Sequence, residues 1–193
     1  MNRDLSLRVL ILTLLLVSIP SAHAQTQGLT SPYAGMETRD IKALSEADIQ
    51  GLLSGAGMGY AMAAELNGYP GPKHVLELAA ELVLTNEQRE RTEALFSAMQ
   101  AEAIVHGKKM IALEAELDDA FASNTVDTDL IQVLTAEIGA VEGKLRAAHL
   151  RTHLEMTPIL SMHQRHLYQQ LRGYGEGGMD HSNMDHSNVD HDH

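Results

Sequence analysis

The stretch that decides the fold is "NEQRERTEALFSAMQAEAIVHGKKMIALEAELDDAFA", residues 86–122. Phe96, Met99, Ala103, His106, Met110, Leu113, Leu117 and Ala120 recur in alternating steps of three and four. That spacing puts them on one seam of a long helix. "SNTVDTD" (123–129) breaks the pattern and offers Asp127 or Thr128 as the next N-cap. A second helix then carries Ile131, Leu134, Ile138, Val141, Leu145, Ala148 and Thr152 in the same rhythm. Two long helices joined by a short turn predict an antiparallel hairpin. Pairing the seams about the turn sets Leu117 near Leu134, Met110 near Val141, His106 near Leu145 and Met99 near Thr152.

Shorter helices are expected on both sides. Thr85 and Gln88 in "LTNEQ" (84–88) form a capping box for the first long helix. Ser161 and Gln164 in "LSMHQ" (160–164) form another, after Pro158 has kinked or ended the second. "RHLYQQLRGY" then makes a short last helix, stopped by Gly173. Upstream, Ser45 with Asp48 caps a helix reading "IQGLLSGAGMGYAMAAEL", which "NGYPGP" (67–72) ends with Gly68 as C-terminal cap. "KHVLELAAELVL" predicts a short amphipathic helix between that stop and Thr85. The expected fold is all-α: a long antiparallel hairpin with shorter flanking helices.

The ends of the chain differ from this body. Residues 1–24 have Arg3 and Arg8, an apolar run from Val9 to Pro20, and a small-x-small site at Ala22–Ala24. That is the pattern of a cleavable secretory signal, with Gln25 as the first mature residue and a periplasmic destination. Residues 25–44 read as weakly structured, 45–174 as the helical domain, and 175–193 as a low-complexity tail expected to be disordered. The chain carries 14 Lys and Arg against 26 Asp and Glu, which argues against nucleic acid as a partner. It has no cysteine, so disulfides and thiolate ligands are excluded. There is no Gly-rich phosphate loop, nucleophile elbow or HExxH, and no enzyme is expected.

The tail is rich in metal-ligand chemistry. His181, His186, His191 and His193 alternate with Asp180, Asp185, Asp190 and Asp192, and with Met179 and Met184. Imidazole suits Cu(II), Zn and Ni, thioether suits Cu(I), and the carboxylates can orient the imidazoles. No cofactor is required, and Cu, Zn or Ni is the expected tail ligand. A second set lies on the hairpin: His149, His153 and Met156, spaced i, i+4, i+7, share one face, with Met99 near their end. The competing reading is a half-exposed stripe beside the seam. His106 with Met110 reads as core packing, His163 and His166 as surface positions, His74 as a lone histidine, and the abundant acids as solvated helix faces.

"LTNEQ" and "LSMHQ", one on each side of the hairpin, resemble the paired LTxxQ motifs of the Spy/CpxP group of periplasmic proteins. The second departs from the motif at Ser161, which keeps a capping hydroxyl. The resemblance spans roughly Pro72 to Tyr174. It implies a cradle-shaped homodimer that binds unfolded envelope proteins without ATP, with a sensor kinase or other regulator among its partners. In that reading Leu84, Thr85, Gln88, Leu160, Ser161 and Gln164 shape the helix junctions and the tail is an accessory. The alternative is a heavy-metal sensor or scavenger, since relatives of this group include zinc-, nickel- and cobalt-responsive proteins. The physics fits a dimer, because a thin hairpin leaves apolar surface uncovered.

Overall fold

The computed structural model describes residues 31–174. Among these residues the regular structure is entirely helical. After a short 3₁₀ turn at Met36–Thr38 come α1 (Glu46–Ser54), α2 (Met62–Glu65), α3 (Pro72–Glu77), α4 (Asn86–Ala122), α5 (Thr128–Met156) and α6 (Met162–Leu171). The tail ligands Met179 to His193 and the proposed signal segment lie outside the described residues. No described helix is long and apolar enough to cross a membrane.

α4 and α5 form the hairpin. Thr85 starts α4 as the capping box requires, and the Asp127 side chain accepts from the Leu130 N–H to start α5. The seams meet in one apolar cluster containing Met99, Ala103, Met110, Leu113, Leu134, Val141 and Leu145. Ion pairs Lys109–Glu137 at 3.2 Å and Arg151–Glu102 at 2.5 Å cross between the two helices. One seam position differs from expectation. His106 is only half-buried, and Gly107 takes the interior place. The cause is a third helix. α1 packs on α4 there, with the Leu52 carbonyl against Gly107; a Cβ at Gly107 would lie 2.3 Å from that oxygen.

The upstream region is more broken than its sequence predicts. Instead of one helix through Leu66, α1 stops at Ser54, where Gly55 (φ 66°) closes it in the left-handed conformation. A Gly-rich connector, residues 55–61, then leads to the single turn of α2. The glycines that would cost a helix about 1 kcal/mol each serve here as a cap and a bend. Likewise α3, Pro72–Glu77, covers only the first five residues of the expected amphipathic helix.

Beyond α5, Pro158 ends the helix as expected: Thr157–Ile159 form a 3₁₀ turn and Ser161 caps α6. Here the two sequence motifs meet. Gln88 Nε2 donates to Gln164 Oε1 at 2.8 Å, and Gln164 Nε2 donates to Gln88 Oε1 at 2.9 Å. Each oxygen also accepts its own cap N–H, from Thr85 and Ser161. Each amide donates its second proton to a carbonyl, Gln88 to Ile159 and Gln164 to Leu82. Two helix starts, remote in sequence, are thus fastened by a satisfied amide pair. Leu84 and Leu160 pack beneath it in a second apolar cluster with Val75, Leu82, Met156, Ile159 and Tyr168.

Candidate functional site

α5 carries the site. Its last turns pass under the connector and α2, so His149 and His153, one turn apart, face the same cleft. The cleft is about 590 Å³ and is walled by the connector, α3 and α4. Both imidazoles are buried, His149 to 4% exposure and His153 to 9%. The expected half-exposed stripe is therefore wrong: the connector and α2 cover it, which hairpin periodicity could not show.

His153 is fixed in one tautomer. Its Nδ1 lies 2.8 Å from the Tyr69 carbonyl. A carbonyl only accepts, so Nδ1 bears a proton, and in the neutral ring the lone pair is on Nε2. Beside Nε2 stands Gly71, where a Cβ would come within 3.0 Å of that nitrogen. The missing side chain leaves room at the lone pair.

His149 is held by packing. Tyr60 stacks on its ring, centroid to centroid 5.9 Å, nearly parallel. Its Nε2 is buried with no hydrogen-bond partner, an expensive state for a polar atom. Burial, reinforced by the neighbouring His153, holds its pKa below the usual imidazole value. That favours the neutral His149 ring, the form that can donate a lone pair.

Glu65 supports the site from behind. It is 8% exposed, contrary to the reading of the acids as solvated. Its Oε1 accepts from the Tyr168 hydroxyl at 2.6 Å and from Arg172 Nε at 3.3 Å. Its Oε2 is 3.7 Å from His153 Nδ1 and has no hydrogen-bond partner. Burial, with the Glu65 carboxylate next, pushes the Tyr168 phenol far above its ordinary range, so it donates as a neutral hydroxyl. Glu65 Oε2 also borders the space at Gly71, 3.5 Å from where a Cβ would stand.

Met156 does not join its two histidines. It is fully buried in the cluster under the glutamine clasp. A helix face rotates steadily along its length, and three residues beyond His153 the face meets α3 and the 3₁₀ turn. Met99, by contrast, does line the cleft, with Met58 and Met62 of the connector and α2. The sequence reading missed those two, along with Glu65 and Tyr168. A cluster of methionines in a glycine-rich stretch was the only local signal. His74 contributes to the rim, its Nδ1 2.7 Å from Glu77 Oε2. His163 and His166 are exposed, as expected. His106 is half-exposed, 3.8 Å from Glu102.

The residues fit a metal ion in a particular way. The orphaned His149 Nε2, the tautomer-fixed His153 and the space at Gly71 provide two imidazole donors. Among the described residues, no three His, Asp or Glu side chains are arranged to hold an ion by themselves. Other ligands must complete any site.

The comparison with known families agrees with this chemistry. Residues 51–166 match the family described as heavy-metal resistance. The chain belongs to the heavy-metal resistance family. The match covers the hairpin, both motif glutamines, His149, His153 and the connector. It supports the metal-resistance alternative rather than the chaperone reading, and it does not carry the narrower Spy/CpxP assignment. Comparisons with curated proteins and with solved structures find no match.

Proposed function

We propose that this heavy-metal resistance family member acts in the periplasm, binding a metal ion at the His149–His153 cleft as a sensor or scavenger. The observation that carries the reading is the buried, unpartnered His149 Nε2 beside an imidazole whose Nδ1 is engaged by a backbone carbonyl. Backbone carbonyls commonly orient metal-binding histidines through the distal N–H in this manner. The ion would supply charge and a bond between α5 and the cleft walls; the chain supplies two imidazoles on buried side chains. The tail ligands His181, His186, His191 and His193, with Met179 and Met184, form a second, less selective collecting set in this proposal.

Titration with Ni(II), Zn(II) and Cu(II), and with Cu(I) under anaerobic conditions, tests it. The full chain, with the six tail ligands His181, His186, His191, His193, Met179 and Met184 changed to Ser, should retain one site. Adding His149→Gln and His153→Gln should remove that site while circular dichroism stays helical. Absence of metal uptake by the tail-substituted chain would overturn the reading. N-terminal sequencing of protein recovered from the periplasm checks export; Gln25 is the expected first residue. Exposed Val105, Phe121, Val133 and Leu154 on the hairpin support self-association, which light scattering reads as a dimer mass.

A further inference from the structure

We infer that the cleft selects a soft monovalent cation, Cu(I) or its redox-stable analogue Ag(I), using methionine thioethers to complete the two-histidine site. This rests on the metal-binding reading above and names the class of ion.

The donor inventory leads there. His149 and His153 are the two buried imidazoles in the cleft, and His74 at its rim has Nδ1 engaged by Glu77. Glu65, a buried acid in the cleft wall, has Oε1 occupied by Tyr168 and Arg172, which leaves one oxygen, Oε2, 3.7 Å from His153 Nδ1. A hard or borderline ion such as Ni(II) would need further nitrogen or oxygen donors, and the described histidines and acids do not assemble them. What the walls offer instead is sulfur: Met58 and Met62 from the connector side and Met99 from α4. Thioethers are uncharged and bind soft ions, and Cu(I) accepts low coordination with imidazole and thioether together. A monovalent ion also suits two neutral imidazoles in a largely apolar cleft, because less charge is left uncompensated.

The backbone supports a ligand role for the connector. Met58 has φ 43°, in the left-handed region that unbranched, non-glycine residues seldom occupy. Gly59 (φ 80°) follows and Gly55 (φ 66°) precedes it. Holding Met58 this way costs energy of order 1–3 kcal/mol. It turns the chain so that Met58 and Met62 both reach the cleft, while Tyr60 between them lies on His149. Met58 and Met62 are 41% and 59% exposed, whereas Met99 is buried. Met62 and Met58 sit on an accessible arm and Met99 on the fixed wall; the Met58 sulfur rests over Gly51 of α1 and reaches an ion by turning its side chain.

The test uses the full chain with the six tail ligands changed to Ser. Cu(I) affinity is measured anaerobically by competition with a chromophoric Cu(I) chelator, and Zn(II) and Ni(II) affinities by titration. Changing Met58, Met62 and Met99 to Leu keeps volume and should weaken Cu(I) binding about 100-fold, on the scale of lost ligand-shell contacts. Zn(II) and Ni(II) binding should change far less, since thioethers are poor ligands for these ions. In spectra of protein labelled at the methionine methyls, Ag(I) should shift Met58, Met62 and Met99 and leave Met156, sealed in the second cluster, in place. Zn(II) or Ni(II) binding without Cu(I) binding, or Cu(I) affinity indifferent to the three Leu changes, would overturn the soft-ion inference and leave the metal site standing. Binding of none of these ions would overturn both.

Discussion

Gly107→Ala on α4 is expected to destabilise the protein, although in an isolated helix the same change stabilises. Ala is preferred to Gly in a helix interior by about 1 kcal/mol. At position 107 the new methyl would sit 2.3 Å from the Leu52 carbonyl oxygen, 2.8 Å from its carbon and 3.1 Å from its Cα. Comfortable contact is about 3.5 Å, so α1 must back away by roughly 1 Å. The obstacle is backbone, which has no rotamer to change. Overpacking of this kind costs about 1–3 kcal/mol. α1 also carries Leu52, 4% exposed and part of the hairpin core, which would lose contacts as α1 withdraws. The upper end of the range therefore applies, and the net loss after the propensity gain is about 2 kcal/mol. At about 2–4 °C per kcal/mol for a chain of this size, Tm should fall by about 4–8 °C. Gly139→Ala on α5 is the matched control, since nothing lies within 4 Å of its Cβ. It should raise Tm by about 2–4 °C. Thermal unfolding followed by circular dichroism at the helix band reads both. A Gly107→Ala protein as stable as the parent, with Gly139→Ala raising Tm, would refute the close approach of α1 to α4.

Three further outcomes follow from the junction and the cleft. Gln88→Ala and Gln164→Ala should each cost about 2–3 kcal/mol, because each leaves its partner amide short of hydrogen bonds; a double-mutant cycle by urea unfolding should show the pair costing clearly less than the sum, and additivity would disprove the clasp. Tyr168→Phe removes the 2.6 Å bond to Glu65 and should cost about 1–3 kcal/mol, with a loss below 0.5 kcal/mol in denaturant melts counting against a buried, dependent carboxylate. His149 has a folded pKa below its unfolded one. The unfolded chain therefore takes up the proton first, so stability rises with pH through the ordinary imidazole range and is lost as pH falls through it. His149→Gln should flatten that part of the stability–pH curve, and an unchanged slope would show that His149 is not the buried neutral group.

The local signals were the dependable ones. The capping boxes at Ser45, Thr85 and Ser161 were legible because each is closed by residues three apart. The ends of α4 and α5 followed from Asp127 and Pro158, which act on their own neighbours. Seven-residue periodicity located the hairpin and most of its core. It failed at His106, where it allowed for a single partner helix although α1 packs on α4 there as well. The helix expected from Ile49 to Leu66 failed for a related reason: small residues permit either close packing or a bend, and only the neighbours decide which.

The sequence by itself determined a chain of capped helices, a long hairpin and a pair of histidines on one face, since all of these depend on spacings of three to seven residues. Tertiary structure alone decided what those histidines face. The Tyr69 carbonyl that sets the His153 tautomer lies 84 residues away in the chain, and the Tyr168 hydroxyl that engages Glu65 lies 103 residues from it. Contacts at such separations leave no periodic trace. The same folding took Met156 out of the proposed site, brought Met58, Met62 and Met99 to its walls, and left one buried imidazole nitrogen without a partner.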